Sequence, residues 1–337
     1  MPVRIADIAA AANVSPATVA RVVSNSGYVS EGKRQQVNRV IDELGYVPNR
    51  IASSLRKNKP YFIGHVMLVS SENPFFARIG SAVNDAAEKA GYHVLMASRQ
   101  ADAARERAVI ENLLGLMVDA IIFTGDLSSD TKTINWVLSR GVPVVMVERP
   151  RHGSSVDAVL LDSYAGAAMA VEHIIAAGHR DIGFIGLKYQ KPEVEYQRYN
   201  GFACAMRGAG LKIRSEWVRY ASEYTVEDGR KATEELLAQN RLPTAVFVTS
   251  DVIACGALQA FYSKGMRVPE DMSIVGFDNT LSSLCTPPLT SIDMQLEQAG
   301  TTAVDMIVER KRDGREGVKT VTFSPVLINR GSVRQIT

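Results

Sequence analysis

The sequence is sparing in the features that mark several protein classes. Its cysteines are Cys204, Cys255 and Cys285, odd in number and far apart. Without a CxxC pair they supply neither a disulfide framework nor a zinc site, and small core residues of a reduced, cytoplasmic protein are expected. No apolar run approaches the roughly 20 residues that span a bilayer. The opening MPVRIADIAAAANV meets polar residues too early for a signal peptide. A phosphate-binding glycine loop, a zinc-protease helix and a nucleophile elbow are all missing, and His65, His93, His152, His173 and His179 are scattered without ligand or triad spacing, His179 in AGHRDI being expected to end a helix with its imidazole near the last carbonyls. No catalytic residue, metal or cofactor is therefore expected. Net charge is also slight, at +2 over 337 residues.

That small net charge is the sum of two unlike parts. Residues 1–60 hold nine Lys/Arg against four Asp/Glu, net +5, while the remainder is −3. A basic head before a mildly acidic body suggests a nucleic-acid-binding part joined to something else. The head reads as three helices. Ile5–Ala12 places Ile5, Ile8 and Ala9 on one face, and Asn13 follows, where a left-handed residue suits a helix end. Ser15-Pro16 gives an N-cap and a first-turn proline to a second helix, about 16–23, with Val19, Val22 and Val23 inward. Ser30 is placed to cap a third, about 31–44, ended by Gly45. The expected core is Ile8, Val19, Val23, Val37, Ile41 and Leu44. Two short helices joined by a tight turn plus a third make a helix-turn-helix. Residues 48–60 then sit between prolines as a linker.

From Tyr61 the pattern alternates apolar strands with helices: FIGHVMLV (62–69), HVLMAS (93–98), DAIIFTG (119–125) and PVVMVE (143–148), then a second series opening with DAVLLD (157–162) and DIGFIGL (181–187) and closing with TAVFVTS (244–250) and MSIVGFD (272–278). Such alternation predicts two doubly wound parallel sheets, hence two lobes. Ligands of these sheets bind beyond the carboxyl ends of the strands. The residues there are polar or aromatic: Ser71, Glu72, Phe75, Phe76, Gln100, Asp126, Glu148, Ser250, Asp251, Asp278 and Asn279. Carboxylates and amides beside aromatic faces suit a sugar, although an acid or serine after a strand is also an ordinary helix N-cap.

Residues 4–56, including the VSPATVARV core, the GYVSE cap and the YVPNRIASSL tail, resemble the DNA-binding head of the LacI/GalR family of bacterial transcriptional regulators. Residues 61–333 resemble that family's effector domain, through SSENPFFARI, MVDAIIFTG, VEHIIAAGHRDIGFIG, RYNGFACAMRGAGL, PTAVFVTSDVIACGAL, RVPEDMSIVGFDN and CTPPLTSIDMQ. The resemblance implies a helix-turn-helix head (1–47), a hinge (48–60) and a two-lobed, periplasmic-binding-protein-like α/β body (61–337), with lobe crossovers near 160–163, 288–294 and 320–325. It also implies that Pro16, Ala17 and Arg21 face base edges, and that Ser15, Thr18, Tyr28 and Ser30 face phosphates. Of these, Arg21 is chemically able to read guanine in two hydrogen bonds. In the hinge, Leu55 would be the minor-groove wedge, Ala52 the hinge-to-hinge contact and Asn49 a backbone contact. Effector contacts would fall to Phe75, Phe76, Glu148, Arg198, Tyr224, Ser250, Asp251 and Asp278. Arg4 stands where the family usually has a capping Ser or Thr, so that helix end is expected to fray, and Ala20 replaces a usual Ser. The expected protein is a cytoplasmic homodimeric repressor of a pseudo-palindromic operator. A sugar or sugar derivative switches it; the alternatives are a purine or nucleoside corepressor, and a sugar-binding protein without DNA function. No heptad tail follows the last strand, so a dimer is expected rather than a tetramer.

Overall fold

The structure is a computed structural model, and it describes residues 3–46, 62–68, 73–99, 103–125, 131–148, 156–188 and 194–336. The hinge residues Asn49, Ala52 and Leu55, and the strand-end residues Ser71, Glu72, Gln100 and Asp126, lie outside these. The chain divides into two compact units, one up to Tyr61 and one from Phe62.

The first unit is three helices, α1 (Ile5–Ala11), α2 (Pro16–Val23) and α3 (Glu31–Leu44). Ser15 caps α2 by accepting from the Thr18 N–H at 3.2 Å, and Asn13 and Gly45 adopt the left-handed conformation (φ 45° and 60°). The core is Ile8, Ala9, Ala12, Val19, Val22, Val37 and Val40, with Val23 and Ile41 packed against it. Leu44, expected in that core, is 40% exposed because it lies in the last turn before Gly45. Two caps also differ from expectation. The α1 end lacks a side-chain cap from Arg4, yet Asp7 accepts from the Arg4 N–H at 2.7 Å and holds that end from inside the first turn. Ser30 stands at the N-cap of α3 with extended backbone, but its hydroxyl makes no capping bond.

The second unit contains two six-stranded sheets, ordered β11-β5-β4-β3-β1-β2 and β12-β10-β9-β8-β6-β7. The first is β1 (Phe62–Leu68), β2 (His93–Arg99), β3 (Ala120–Thr124), β4 (Val144–Glu148), β5 (Asp157–Leu161) and β11 (Thr320–Phe323). The second is β6 (Ile182–Leu187), β7 (Val218–Ala221), β8 (Ala245–Val248), β9 (Ser273–Phe277), β10 (Thr290–Asp293) and β12 (Val326–Ile328). Every pairing is parallel except β10 with β12. The central strands are buried on both faces, as parallel sheets require: Ala120 and Ile122 face one helix layer, Ile121 and Phe123 the other. Around the sheets lie α4 (Pro74–Lys89), α5 (Ala103–Gly115), α6 (Thr131–Leu138), α7 (Ser163–Ala176), α8 (Val194–Gly208), α9 (Val226–Leu237), α10 (Asp251–Ser263) and α11 (Leu296–Arg312). No helix among the described residues is long and apolar enough to cross a membrane.

Three features depart from the sequence reading. DAVLLD does not open the second series: β5 pairs with β4 (Val147 opposite Val159) and completes the first sheet. Helix α11 was not foreseen. It packs on α4, where its Gly300 allows close approach: a Cβ there would meet the Ala82 Cβ at 2.8 Å. His179 is not lodged among helix carbonyls; its Nδ1 meets Thr244 Oγ1 at 2.8 Å and its Nε2 the Arg334 carbonyl at 3.2 Å. The chain leaves the first sheet after Leu161, returns to it after Asp293, and leaves again between Phe323 and Val326.

Helices α9 and α10 touch backbone to backbone. A Cβ on Gly256 would lie 2.1 Å from the Val226 carbonyl oxygen, whereas one on Gly32 in α3 meets nothing within 4 Å. Gly256→Ala should therefore destabilise the second unit by about 3 kcal/mol, at the upper end of overpacking costs. Gly32→Ala should change stability by no more than about 1 kcal/mol. Urea denaturation of the two variants checks the contrast.

Candidate functional site

The second unit gathers its polar residues at the carboxyl ends of both sheets. In the second sheet, helix α8 opens with Glu195 and Arg198 one turn apart, 6% and 3% exposed. Arg198 Nη1 donates to the Thr249 carbonyl at 2.7 Å and to Glu195 Oε1 at 3.2 Å, while Nη2 donates to Asp278 Oδ1 at 3.0 Å. Its guanidinium carbon sits 4.2 Å from the centroid of the Phe277 ring, a cation–π contact. Glu195 is in turn saturated: Oε1 also accepts from the Tyr224 hydroxyl at 2.6 Å, and Oε2 accepts from the Thr249 hydroxyl at 2.9 Å and the Leu187 N–H at 3.1 Å. One arginine and one glutamate thus tie together the ends of β6, β8 and β9 and the loop before α9.

Buried charge sets the electrostatics. Burial disfavours the Arg198 cation, but Asp278, Tyr224, Glu195 and Glu148 outweigh it and raise the pKa, so the guanidinium stays charged. Asp278 is pushed up to about 6 by burial, against the pull of Arg198, with Asp251 and Glu195 adding repulsion. Burial and the neighbouring Glu195 hold the Tyr224 hydroxyl well above its ordinary range, so it remains a donor.

The first sheet contributes Phe76 and Glu148. Both approach Gly125: a Cβ there would lie 3.6 Å from Phe76 Cε1 and 3.7 Å from Glu148 Oε2. Glu148 at the end of β4 and Asp278 at the end of β9 both adopt positive φ, 84° and 86°. Non-glycine residues pay about 1–3 kcal/mol for such backbone, and this strain is characteristic of binding and catalytic sites.

Three of the expected effector residues are drawn elsewhere. Phe75 is 4% exposed and lies in the core, edge-on to Phe76 with ring centroids 5.2 Å apart, because adjacent residues of a helix cannot share a face. Asp251 Oδ2 accepts from the backbone N–H groups of Thr280 (2.7 Å), Leu281 (3.1 Å) and Ser282 (3.1 Å), and Oδ1 from the Ser291 hydroxyl (2.7 Å). Its carboxylate is consumed in holding the loop that follows Asp278. Ser250 is fully buried and caps α10 through the Val252 N–H at 3.3 Å. Phe76, Glu148, Arg198, Tyr224 and Asp278 remain as the group at the strand ends.

Two further residues belong to this arrangement. Glu195 is one helical turn before Arg198, and that acid-to-arginine spacing was the available signal. Asn279 orders the loop through its backbone N–H to Ser291 Oγ (3.1 Å) and its Nδ2 to Asp293 (2.8 Å). Its carbonyl accepts from Arg78 Nη1 of α4 at 2.6 Å, a bond between the two sheets' layers. Nothing local in the sequence announces that contact, which spans 201 residues.

In the first unit, Ser15, Pro16, Ala17, Arg21, Tyr28 and Ser30 are exposed and Thr18 is half-buried; Tyr28 is 90% exposed. Ser15 and Thr18 hydroxyls meet at 2.9 Å. The stem of Arg21 runs beside Gly27, whose φ is 71° and where a Cβ would contact the arginine at 3.5 Å.

Two predictions rest on this geometry. Asp251→Ala strands three loop N–H groups, that of Ser282 buried and those of Thr280 and Leu281 part-buried, and should cost about 3 kcal/mol in urea denaturation, by the rule for breaking a buried hydrogen-bonded charge. Between its unfolded value of 3.8 and about 6, folded Asp278 retains a proton that the unfolded chain has released. Its contribution to stability is therefore complete below that window and lost as pH rises through 6. Asp278→Asn should flatten the pH dependence of stability over that interval.

The matches to known proteins agree with both units. The profile of bacterial regulatory proteins of the lacI family matches residues 4–49, and that of a periplasmic binding protein-like domain matches residues 171–333. The chain is 33% identical to the HTH-type transcriptional repressor PurR of Actinobacillus pleuropneumoniae over 98% of each chain, and 34% identical to that of Pasteurella multocida over 98% of each. Among solved structures it is similar to the lac repressor dimer bound to operator and the anti-inducer ONPF, with TM-score 0.82 and 26% identity over 99% of this chain and 100% of that one. It is also similar to a complex of the transcriptional regulator CelR with cellobiose, with TM-score 0.73 and 29% identity over 98% of this chain and 99% of that one. The chain belongs to the lacI family of bacterial regulatory proteins and is a DNA-binding transcriptional repressor of that family.

Proposed function

We propose that the second unit binds a small, uncharged, hydroxyl-rich molecule between the strand ends of its two sheets, and that this binding switches operator affinity. The observation that carries the reading is the composition of the site. With Glu195 already saturated, Glu148 and Asp278 accompany a single guanidinium, so acceptors outnumber cations, and Phe76 offers an apolar ring beside Glu148. Arg198 Nε has no hydrogen-bond partner among the described residues, which leaves one donor for a ligand oxygen. A sugar or sugar derivative fits this excess of acceptors. A purine base or nucleoside acting as corepressor is the second reading, favoured by similarity along the full chain to repressors named PurR.

In this reading the head reads DNA with α2. Pro16, Ala17 and Arg21 meet base edges, Ser15, Thr18, Tyr28 and Ser30 meet phosphates, and Asn49, Ala52 and Leu55 act in the hinge. The protein works as a cytoplasmic homodimer on a pseudo-palindromic operator, since two-fold protein symmetry is mirrored in the site. It performs no catalysis. The ligand must bind the two lobe arrangements unequally, with a coupling of about 1–3 kcal/mol.

Selection of random duplex DNA by the full chain should enrich a palindrome; failure to enrich one removes the operator reading. Arg21→Ala should relax preference at one position in each half-site, at about 1–3 kcal/mol per lost guanine contact. Uniform weakening across sequences would instead make Arg21 a phosphate contact. Thermal-shift measurement with sugars, sugar phosphates, nucleosides and purine bases should raise the melting temperature by several degrees for one class, and Asp278→Ala should abolish that rise.

A further inference from the structure

We propose that Cys255 and Cys285 are a redox modification site, forming a reversible disulfide that ties helix α10 to the loop carrying Asp278 and Asn279. Their sulfurs lie 3.1 Å apart, already in contact, so a bond of about 2.05 Å needs a closure of roughly 1 Å. The pair was expected to be inert core residues, but both thiols are only half-buried. They line an open groove of about 240 Å³ with Leu258, Tyr262 and Leu284, wide enough to admit a small oxidant. Cys204, by contrast, is exposed and far along the chain.

Placement gives the pair its consequence. Cys255 is one turn beyond Asp251 on the same face of α10. Cys285 closes the loop whose Thr280, Leu281 and Ser282 N–H groups Asp251 already holds, and its thiol lies 3.5 Å from the Leu281 carbonyl oxygen. The same loop begins at the strained Asp278 and contacts Arg78 through Asn279. A disulfide would add a covalent tie to a segment now held by hydrogen bonds and packing. At 3.1 Å either sulfur can donate to the other, and the contact with Cys285 lowers the pKa of Cys255, which favours Cys255 as the attacking thiolate.

The chemistry needs a two-electron oxidant, here hydrogen peroxide. The Cys255 thiolate attacks one peroxide oxygen, the O–O bond breaks, and hydroxide leaves and takes up a proton to become water. The product is a sulfenic acid. The Cys285 sulfur then attacks the Cys255 sulfur, the S–O bond breaks, and the hydroxyl departs with the Cys285 proton as a second water. Two thiols lose two electrons and two protons, and one peroxide becomes two waters.

The test is thiol counting on the full-length protein treated with stoichiometric hydrogen peroxide. Free thiols should fall from three to one, and dithiothreitol should restore all three. Peptide mass spectrometry should find a Cys255–Cys285 link within one chain, lighter by two hydrogens. Cys204→Ser should leave the link intact, while Cys255→Ser and Cys285→Ser should each abolish it. Hydrogen exchange of residues 278–286 should slow in the oxidised protein. Three persistent thiols, a product confined to Cys204, or a link between subunits would overturn the modification site. Unchanged exchange in the linked protein would overturn the tie to the Asp278 loop. Neither readout depends on the identity of the operator or the effector.

Discussion

A guanidinium that is 3% exposed must be matched by its surroundings, and Arg198 imposes that requirement on the whole end of the second sheet. Its partners come from three separate segments: Glu195 beside it on α8, the Thr249 carbonyl after β8, and the end of β9, which supplies both Asp278 and the Phe277 ring beneath. Glu195 extends the demand to Tyr224 and to the end of β6. Residues that are 83 positions apart, Glu195 and Asp278, are thereby fixed within one cation's reach. The cost of burying this charge is offset only when every partner is in place, so the strand ends are specified together or not at all.

The acids nearby divide their work according to what each can reach. Asp251 sits at the first position of α10, where its oxygens meet three successive N–H groups of the 280–282 loop and the Ser291 hydroxyl. Gly276 makes room for it, since a Cβ there would lie 2.4 Å from Asp251 Oδ1. Asp278 is held instead by the Arg198 guanidinium and the Ser250 hydroxyl at the cost of a left-handed backbone, with its pKa drawn toward neutrality. One carboxylate is structural and satisfied; the other is strained and poised. Glu148 repeats the strained geometry at the opposite sheet, and this pairing across the two lobes fits a ligand-responsive site.

Much of the architecture was legible because it rests on local periodicity. The head's helices follow from Ser15-Pro16, Gly45 and apolar residues at helical spacing, and the strand–helix alternation of the body follows from short apolar runs. What was not legible depends on contacts distant in sequence. β5 was assigned to the wrong series because an apolar strand carries no mark of which sheet it joins. Helix α11 went unseen although Ala299, Ala303 and Ile307 are fully buried at helical spacing. Phe75 and Phe76 are the same residue type, and only the way α4 lies on the core buries the first and leaves the second partly buried.

The sequence by itself determined the division into a basic head and an acidic body, the helix-turn-helix, the two-sheet α/β class and most of the residues at the strand ends. These properties are set by neighbours a few positions away and by charge, which tertiary contacts do not alter. The tertiary structure alone decided what each acid is used for. It spent Asp251 on a loop, enlisted Glu195 and Asn279, joined Arg78 to the opposite lobe and brought two distant cysteines into contact. Such assignments depend on which partners a folded chain brings within about 3 Å of a polar atom, and a linear order of residues does not contain that distance.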